Sequence, residues 1–141
     1  MALDISRMRD NAFLNTPARM EVRDTDGAVM EGVYIEGVSI DSNVYRDTQR
    51  RLANKRLRDS TRGRNISAAE LEADANELLV AAITGWGGFE DGGQPWPFTT
   101  DNAKLLFRGD PHIREQWSLF VNDRANFSDS RKPSAELSKQ S

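Results

Sequence analysis

Residues 67–98, SAAELEADANELLVAAITGWGGFEDGGQPWPF, decide the fold. Ser67 followed three residues later by Glu70 forms a capping box, in which hydroxyl and carboxylate each satisfy a free amide at a helix start. Leu71, Ala75, Leu78, Leu79, Ala82, Ile83 and Trp86 then recur at offsets 0, 4, 7, 8, 11, 12 and 15, the apolar stripe of an amphipathic helix. Glu70, Glu72, Asp74 and Glu77 suit solvent and the positive end of the helix dipole. The spacing predicts a helix over 67–85, stopped by Gly85, Gly87 and Gly88, with Pro95 and Pro97 keeping the following chain extended. From Gly85 to Phe98 the chain carries five glycines, two tryptophans, two phenylalanines and two prolines. That composition reads as a packed corner in which Trp86, Phe89, Trp96 and Phe98 bury the bend, with a recognition surface as the second reading.

Upstream, Met20 and Val22 alternate with Glu21 and Arg23, and Asp26-Gly27 supplies a turn before Val29. Val33 and Ile35 then share one face and Tyr34 and Glu36 the other, while Gly32 and Gly37 mark a bulge or strand ends. The spacing predicts a β-hairpin over 18–40, which alone is marginal and needs helices or another strand to lie against. A helix over about 43–62 follows, capped by Ser42, with Tyr45, Thr48, Leu52 and Leu57 as its apolar positions. Its other faces are basic: Arg46, Arg50, Arg51, Lys55, Arg56, Arg58, Arg62 and Arg64 stand against only Asp47 and Asp59. If the 67–85 helix folds back antiparallel, its carboxylates face these cations and the pair is a charge-complementary hairpin. A protein partner and a phosphate backbone are the competing uses of the same charges.

Downstream, Thr99 or Thr100 caps a short helix over 99–108, with Asp101 in its first turn and Leu105, Leu106 and Phe107 at its end. Asp110-Pro111 opens a helix over 111–124 whose Ile113, Trp117, Phe120 and Val121 fall on one side. The fold class is therefore α+β and mainly α-helical: an N-terminal β-hairpin packed on about four helices in one domain, 18–128. Residues 1–17 form a segment of uncertain order, and the polar tail 129–141, punctuated by Pro133, is expected to be weakly ordered.

A chain of 141 residues, 38% hydrophobic and 29% charged, suits one modest globular domain. Nineteen basic residues against 22 acidic give no general attraction to nucleic acid or anionic membrane. Without cysteine there are no disulfides, thiolate nucleophiles or zinc fingers, and no window approaches the roughly 18 apolar residues of a membrane span. A soluble, cytoplasmic protein is expected. The single His112 lacks a second histidine or cysteine for a metal site or triad and reads as an exposed helix-start residue. The glycines of 85–93 follow a helix, lack a Gly-Lys-Ser/Thr ending and sit beside Glu90 and Asp91, so they do not read as a phosphate loop. Arg108-Gly109-Asp110 reads as a helix linker. No nucleophile, base and metal set emerges, so no enzyme, catalytic residue, metal or cofactor is expected.

The wording of the corner goes further. Trp86-Gly87-Gly88, Asp91-Gly92, Pro97-Phe98-Thr99, Asn102-Ala103 and Leu105-Leu106, followed by Ile113-Arg114 and Phe120, resemble the recurring pattern of the tail assembly chaperones of long-tailed bacteriophages. SIDSNVYRDTQRRLANKRL (39–57), SAAELEADANELLVAAITGW (67–86) and NDRANF (122–127) resemble that group's order of elements, so the resemblance spans roughly 18–128. It implies a small, mainly helical, non-enzymatic protein of the host cell cytoplasm that binds the tape measure protein and keeps it soluble. It also implies recruitment of tail tube subunits, in many members a longer frameshifted form, and absence from the mature virion. Homo-oligomerisation stays open. By resemblance, Trp86, Trp96, Phe98 and Trp117 are the aromatic contact set, and Arg50, Arg51, Lys55 and Arg56 the charged rim. The alternatives are a structural or tail-completion protein of the virion, and a nucleic-acid-binding module using the basic helix 46–64.

Overall fold

Alternation of Met20 and Val22 with charged neighbours makes β1 (Ala18–Arg23), whose burial alternates along its length. Asp24 closes the following turn: its amide donates to Ala28 O at 2.9 Å and its carboxylate accepts from the amides of Asp26 and Ala28. β2 (Val29–Gly37) returns antiparallel with Met20 opposite Ile35, completing the expected hairpin. These strands belong to a computed structural model that describes residues 12–128; the readings of 1–11 and of the tail 129–141 lie outside the described residues. A short 3-10 turn, Ala12–Asn15, precedes β1.

Five helices and three further strands follow: α1 (Asn43–Thr61), α2 (Ala68–Ala81), β3 (Ile83–Gly87), β4 (Glu90–Asp91), β5 (Gln94–Pro95), α3 (Thr100–Gly109), α4 (Pro111–Asn122) and α5 (Ala125–Ser128). The fold is α+β and mainly helical. Four helix starts are set by the expected residues: Ser42, the Ser67/Glu70 capping box, Thr99 and Asp110 each accept from the backbone amide three residues on.

The quoted stretch departs from its pattern at one place. The helix expected to reach 85 stops at Ala81, and Ile83–Gly87 run as the third strand of a sheet ordered β1-β2-β3. Ile35 lies opposite Trp86, Glu36 opposite Gly85 and Tyr34 opposite Gly87, all antiparallel. Ile83 and Thr84 are β-branched, and Gly85 and Gly87 are poor helix formers, so the local preference for helix is weak just where β2 offers an open edge. Pairing with that edge wins over the continuing 3.6-residue period, and Val38 N donating to Ala82 O at 2.8 Å fixes the crossover.

The core joins Met20, Val22 and Ile35 of the sheet to Leu79 of α2, Phe107 of α3, and Ile113, Trp117 and Val121 of α4. Leu57, Leu71 and Leu105 are expected apolar positions that lie outside it. Leu57 on α1 is 68% exposed and Leu71 on α2 is 47% exposed, while Asp74, expected in solvent, is 6% exposed. Leu57 sits five residues past the buried Leu52, about 140° around the helix, so it cannot share its face.

Candidate functional site

The aromatic corner is built by three consecutive pieces of chain. β3 delivers Trp86 beside Ile35; the chain reverses at Gly88 and enters a two-stranded ribbon in which Glu90 pairs Pro95 and Asp91 pairs Gln94. Gly92 and Gly93 form the two-residue loop with φ of 60° and 84°, the left-handed pair that a type I′ turn requires. The Asp91-Gly92-Gly93-Gln94 turn is written in the sequence, but there it reads only as part of the glycine-rich corner. The ribbon lays Trp96 over Trp86: the ring centroids are 5.3 Å apart and Trp86 Nε1 donates to Trp96 O at 2.9 Å. Phe89 at 4.8 Å and Phe98 at 5.3 Å complete the cluster around Trp86, Phe98 edge-on. Asn102 Nδ2 donates to Pro97 O at 2.9 Å and ties the corner to the start of α3. All four rings are half-buried, so the corner is both part of the packing and part of the surface.

Trp117 is placed differently. It has no exposed surface, its Nε1 donates to Leu79 O at 2.9 Å, and it stacks on Phe120. The fourth residue of the expected aromatic contact set is thus a core residue, put there by the same spacing that made α4 amphipathic.

The expected basic rim is divided by the α1–α2 hairpin. Arg51 pairs with Glu77, Arg56 with Asp74 at 3.2 Å, and Arg64 with Glu70 at 3.2 Å and Asp59 at 3.4 Å, so the carboxylates of α2 do face the cations of α1. The capping hydrogen bonds from Ser67 hold the Glu70 carboxyl below its ordinary range, with Arg64 and Lys55 adding to the effect. Arg50 pairs with Asp47 of its own helix, at 3.0 Å, with both side chains mostly in water. Exposed pairs of this kind contribute little to stability.

A cleft of about 270 Å³ brings two expected site residues together. It lies between α1, α2 and α3, with Val80, Ile83 and Phe98 as apolar lining and Arg51, Glu77 and Lys104 as charged lining. Lys104, the cation contributed by α3, was not singled out in the sequence; its only signal is that it precedes Leu105-Leu106 in the capped helix. No protein-family model matches the chain, and no curated protein or solved structure is significantly similar to it.

Among the described residues no group of three or more His, Asp or Glu side chains is placed to hold a metal ion, and no helix is long and apolar enough to cross a membrane. His112 is half-buried rather than exposed, its Nε2 3.1 Å from Asp24 O, where it joins α4 to the β1–β2 turn. Gln116, one turn on, exchanges two hydrogen bonds with the backbone of Arg23, accepting at 2.8 Å and donating at 2.9 Å. Its side-chain amide covers that end of the β1 edge as a neighbouring strand would. Both contacts hold structure.

Proposed function

We propose that the protein is a tail assembly chaperone of a long-tailed bacteriophage: it binds the tape measure protein in the host cytoplasm, keeps it soluble, helps recruit tail tube subunits, and leaves the finished particle. The observation that carries this reading is the cleft between α1, α2 and α3, in which Phe98 lines an apolar pocket flanked by Arg51, Glu77 and Lys104. A holdase needs apolar surface that accepts a partner's side chains and charges that orient them, and it binds without any reaction centre. At about 270 Å³ the cleft suits one or two apolar side chains projecting from a partner helix, while the adjoining half-buried Trp86 and Trp96 offer further contact area.

Co-expression with the tape measure and tube proteins of the same genome tests the reading. The expected result is a soluble complex that co-purifies in moderate salt, and that is weakened by Lys104→Glu, an exposed change on the rim, and by Phe98→Ser. A tape measure protein that stays insoluble in its presence would sink the proposal. Recovery of the protein as a stoichiometric ring in purified particles would replace it with the virion-component reading.

A further inference from the structure

Three of the α1 cations that make no ion pair with α2 form a row on the outer side of α1. Arg46, Arg50 and Arg58 are spaced in steps of four and eight, with Asn54 completing the series, and all are exposed. The row spans about 18 Å at 1.5 Å per residue. Asp59 is turned to Arg64, which leaves Asp47, paired with Arg50, as the one carboxylate of α1 beside the row, and Asp41 of the preceding turn lies near Arg46. Like charges four residues apart, as at Arg46/Arg50, disfavour the helix. The concentration is also local, since the whole chain carries a formal charge of −3. α1 therefore presents positive charge on a face that its packing on α2 does not use.

The second observation is apolar. Leu57, 68% exposed, lies among Arg46, Arg50 and Arg58 on the side of α1 turned away from buried Leu52, with exposed Ala53 one turn before it. We propose that this outer face of α1 docks an amphipathic helix of a partner protein, whose apolar residues meet Ala53 and Leu57 and whose Asp or Glu side chains, four residues apart, meet the arginines. Successive carboxylates at that spacing rise about 6 Å along a helix, the same step as the arginine row. An apolar centre with a charged border is the usual anatomy of a helix-to-helix contact. A phosphate backbone would instead press its anions onto Leu57, and the face has no aromatic side chain on which a base could stack. This surface is separate from the cleft that carries the chaperone reading, and the inference does not depend on that reading.

The test uses the full chain and a labelled synthetic helical peptide with leucine at alternating three- and four-residue spacing and glutamate in the flanking positions. A scrambled peptide of the same composition and a short DNA duplex serve as comparisons. Fluorescence anisotropy is read for the wild type, Arg50→Glu/Arg58→Glu, Leu57→Ser, and Arg19→Glu/Arg108→Glu, which makes the same charge change away from α1. The helical content of each is checked by circular dichroism. The expected result is binding of the patterned peptide that falls about tenfold or more in the α1 double variant and severalfold in Leu57→Ser, and changes little in the control double variant. Failure of the wild type to bind, equal binding of the scrambled peptide, or equal losses in the two double variants would overturn the proposal. Tighter binding of the duplex, steeply weakened by salt and indifferent to Leu57, would overturn it in favour of a nucleic-acid surface.

Discussion

At the scale of single residues, the closest constraint in the molecule is at Gly37. A Cβ there would stand 2.1 Å from Ala82 O and 2.7 Å from Trp117 Cζ2, one a backbone atom and the other the edge of an enclosed ring. Neither can move without displacing the β2–β3 pairing or the core, so Gly37→Ala is expected to cost at least about 2 kcal/mol. Gly85, also in the sheet, has open space where its Cβ would stand, and Gly85→Ala should stay within about 0.5 kcal/mol of wild type. Thermal unfolding of the two variants side by side checks this; equal melting temperatures would mean that the contact at Gly37 yields. The same core explains the fate of Trp117. Trp117→Ala should destabilise by about 3–5 kcal/mol, since ring burial and the bond to Leu79 O are lost together. Its effect on any partner would then be indirect, through the fold.

At the scale of elements, two junctions give measurable expectations. Ser67 satisfies the Glu70 amide at 3.1 Å while Glu70 answers to the Ser67 amide at 3.1 Å, so Ser67→Ala should cost about 1 kcal/mol in chemical denaturation. Between the β2–α1 turn and the α4–α5 junction, Arg124 grips Asp41 with two hydrogen bonds of 2.6 and 3.0 Å. Those bonds, against a smaller opposing effect of burial, hold the Asp41 carboxyl below its ordinary range. The folded state therefore binds that proton more weakly than the unfolded chain. The stability it contributes is present above about pH 4 and disappears as pH falls through the depressed folded value. Arg124→Gln should remove this part of the acid dependence and leave a shallower decline below about pH 4; an unchanged acid limb would mean the pair is too solvated to matter. Element starts were readable because capping chemistry is local: Ser42, Ser67, Thr99 and Asp110 need only their own next turn. β3 was not, because Ile83 and Trp86 continue the α2 period and their strand state depends on β2, some fifty residues earlier. The Gly92-Gly93 ribbon and Gln116 at the β1 edge escaped for related reasons, the first hidden by its proximity to a helix end and the second dependent on a contact 93 residues away.

At the scale of the whole molecule, the three tryptophans report on different surfaces. Trp117 is enclosed, whereas Trp86 and Trp96 sit together, half-buried, at the corner next to the cleft. Quenching of tryptophan emission by acrylamide should therefore resolve an accessible pair and a protected single residue, and Trp117→Phe should leave the accessible component unchanged. This difference separates the two proposed surfaces. A tape measure segment seated in the cleft and against the corner would shield Trp86 and Trp96, so that the quenching of the accessible pair falls toward that of Trp117. An acidic helix on the outer face of α1 would add contact area along Arg46, Arg50, Leu57 and Arg58 and leave both rings as open as before. Binding of the tape measure segment with no change in quenching would remove the corner from the contact surface and leave its rings a purely structural role. Shielding by the patterned acidic peptide would move that peptide from α1 to the cleft. Because both outcomes are read from side chains already in the protein, the assignment of partner to surface does not rest on variants that disturb the fold.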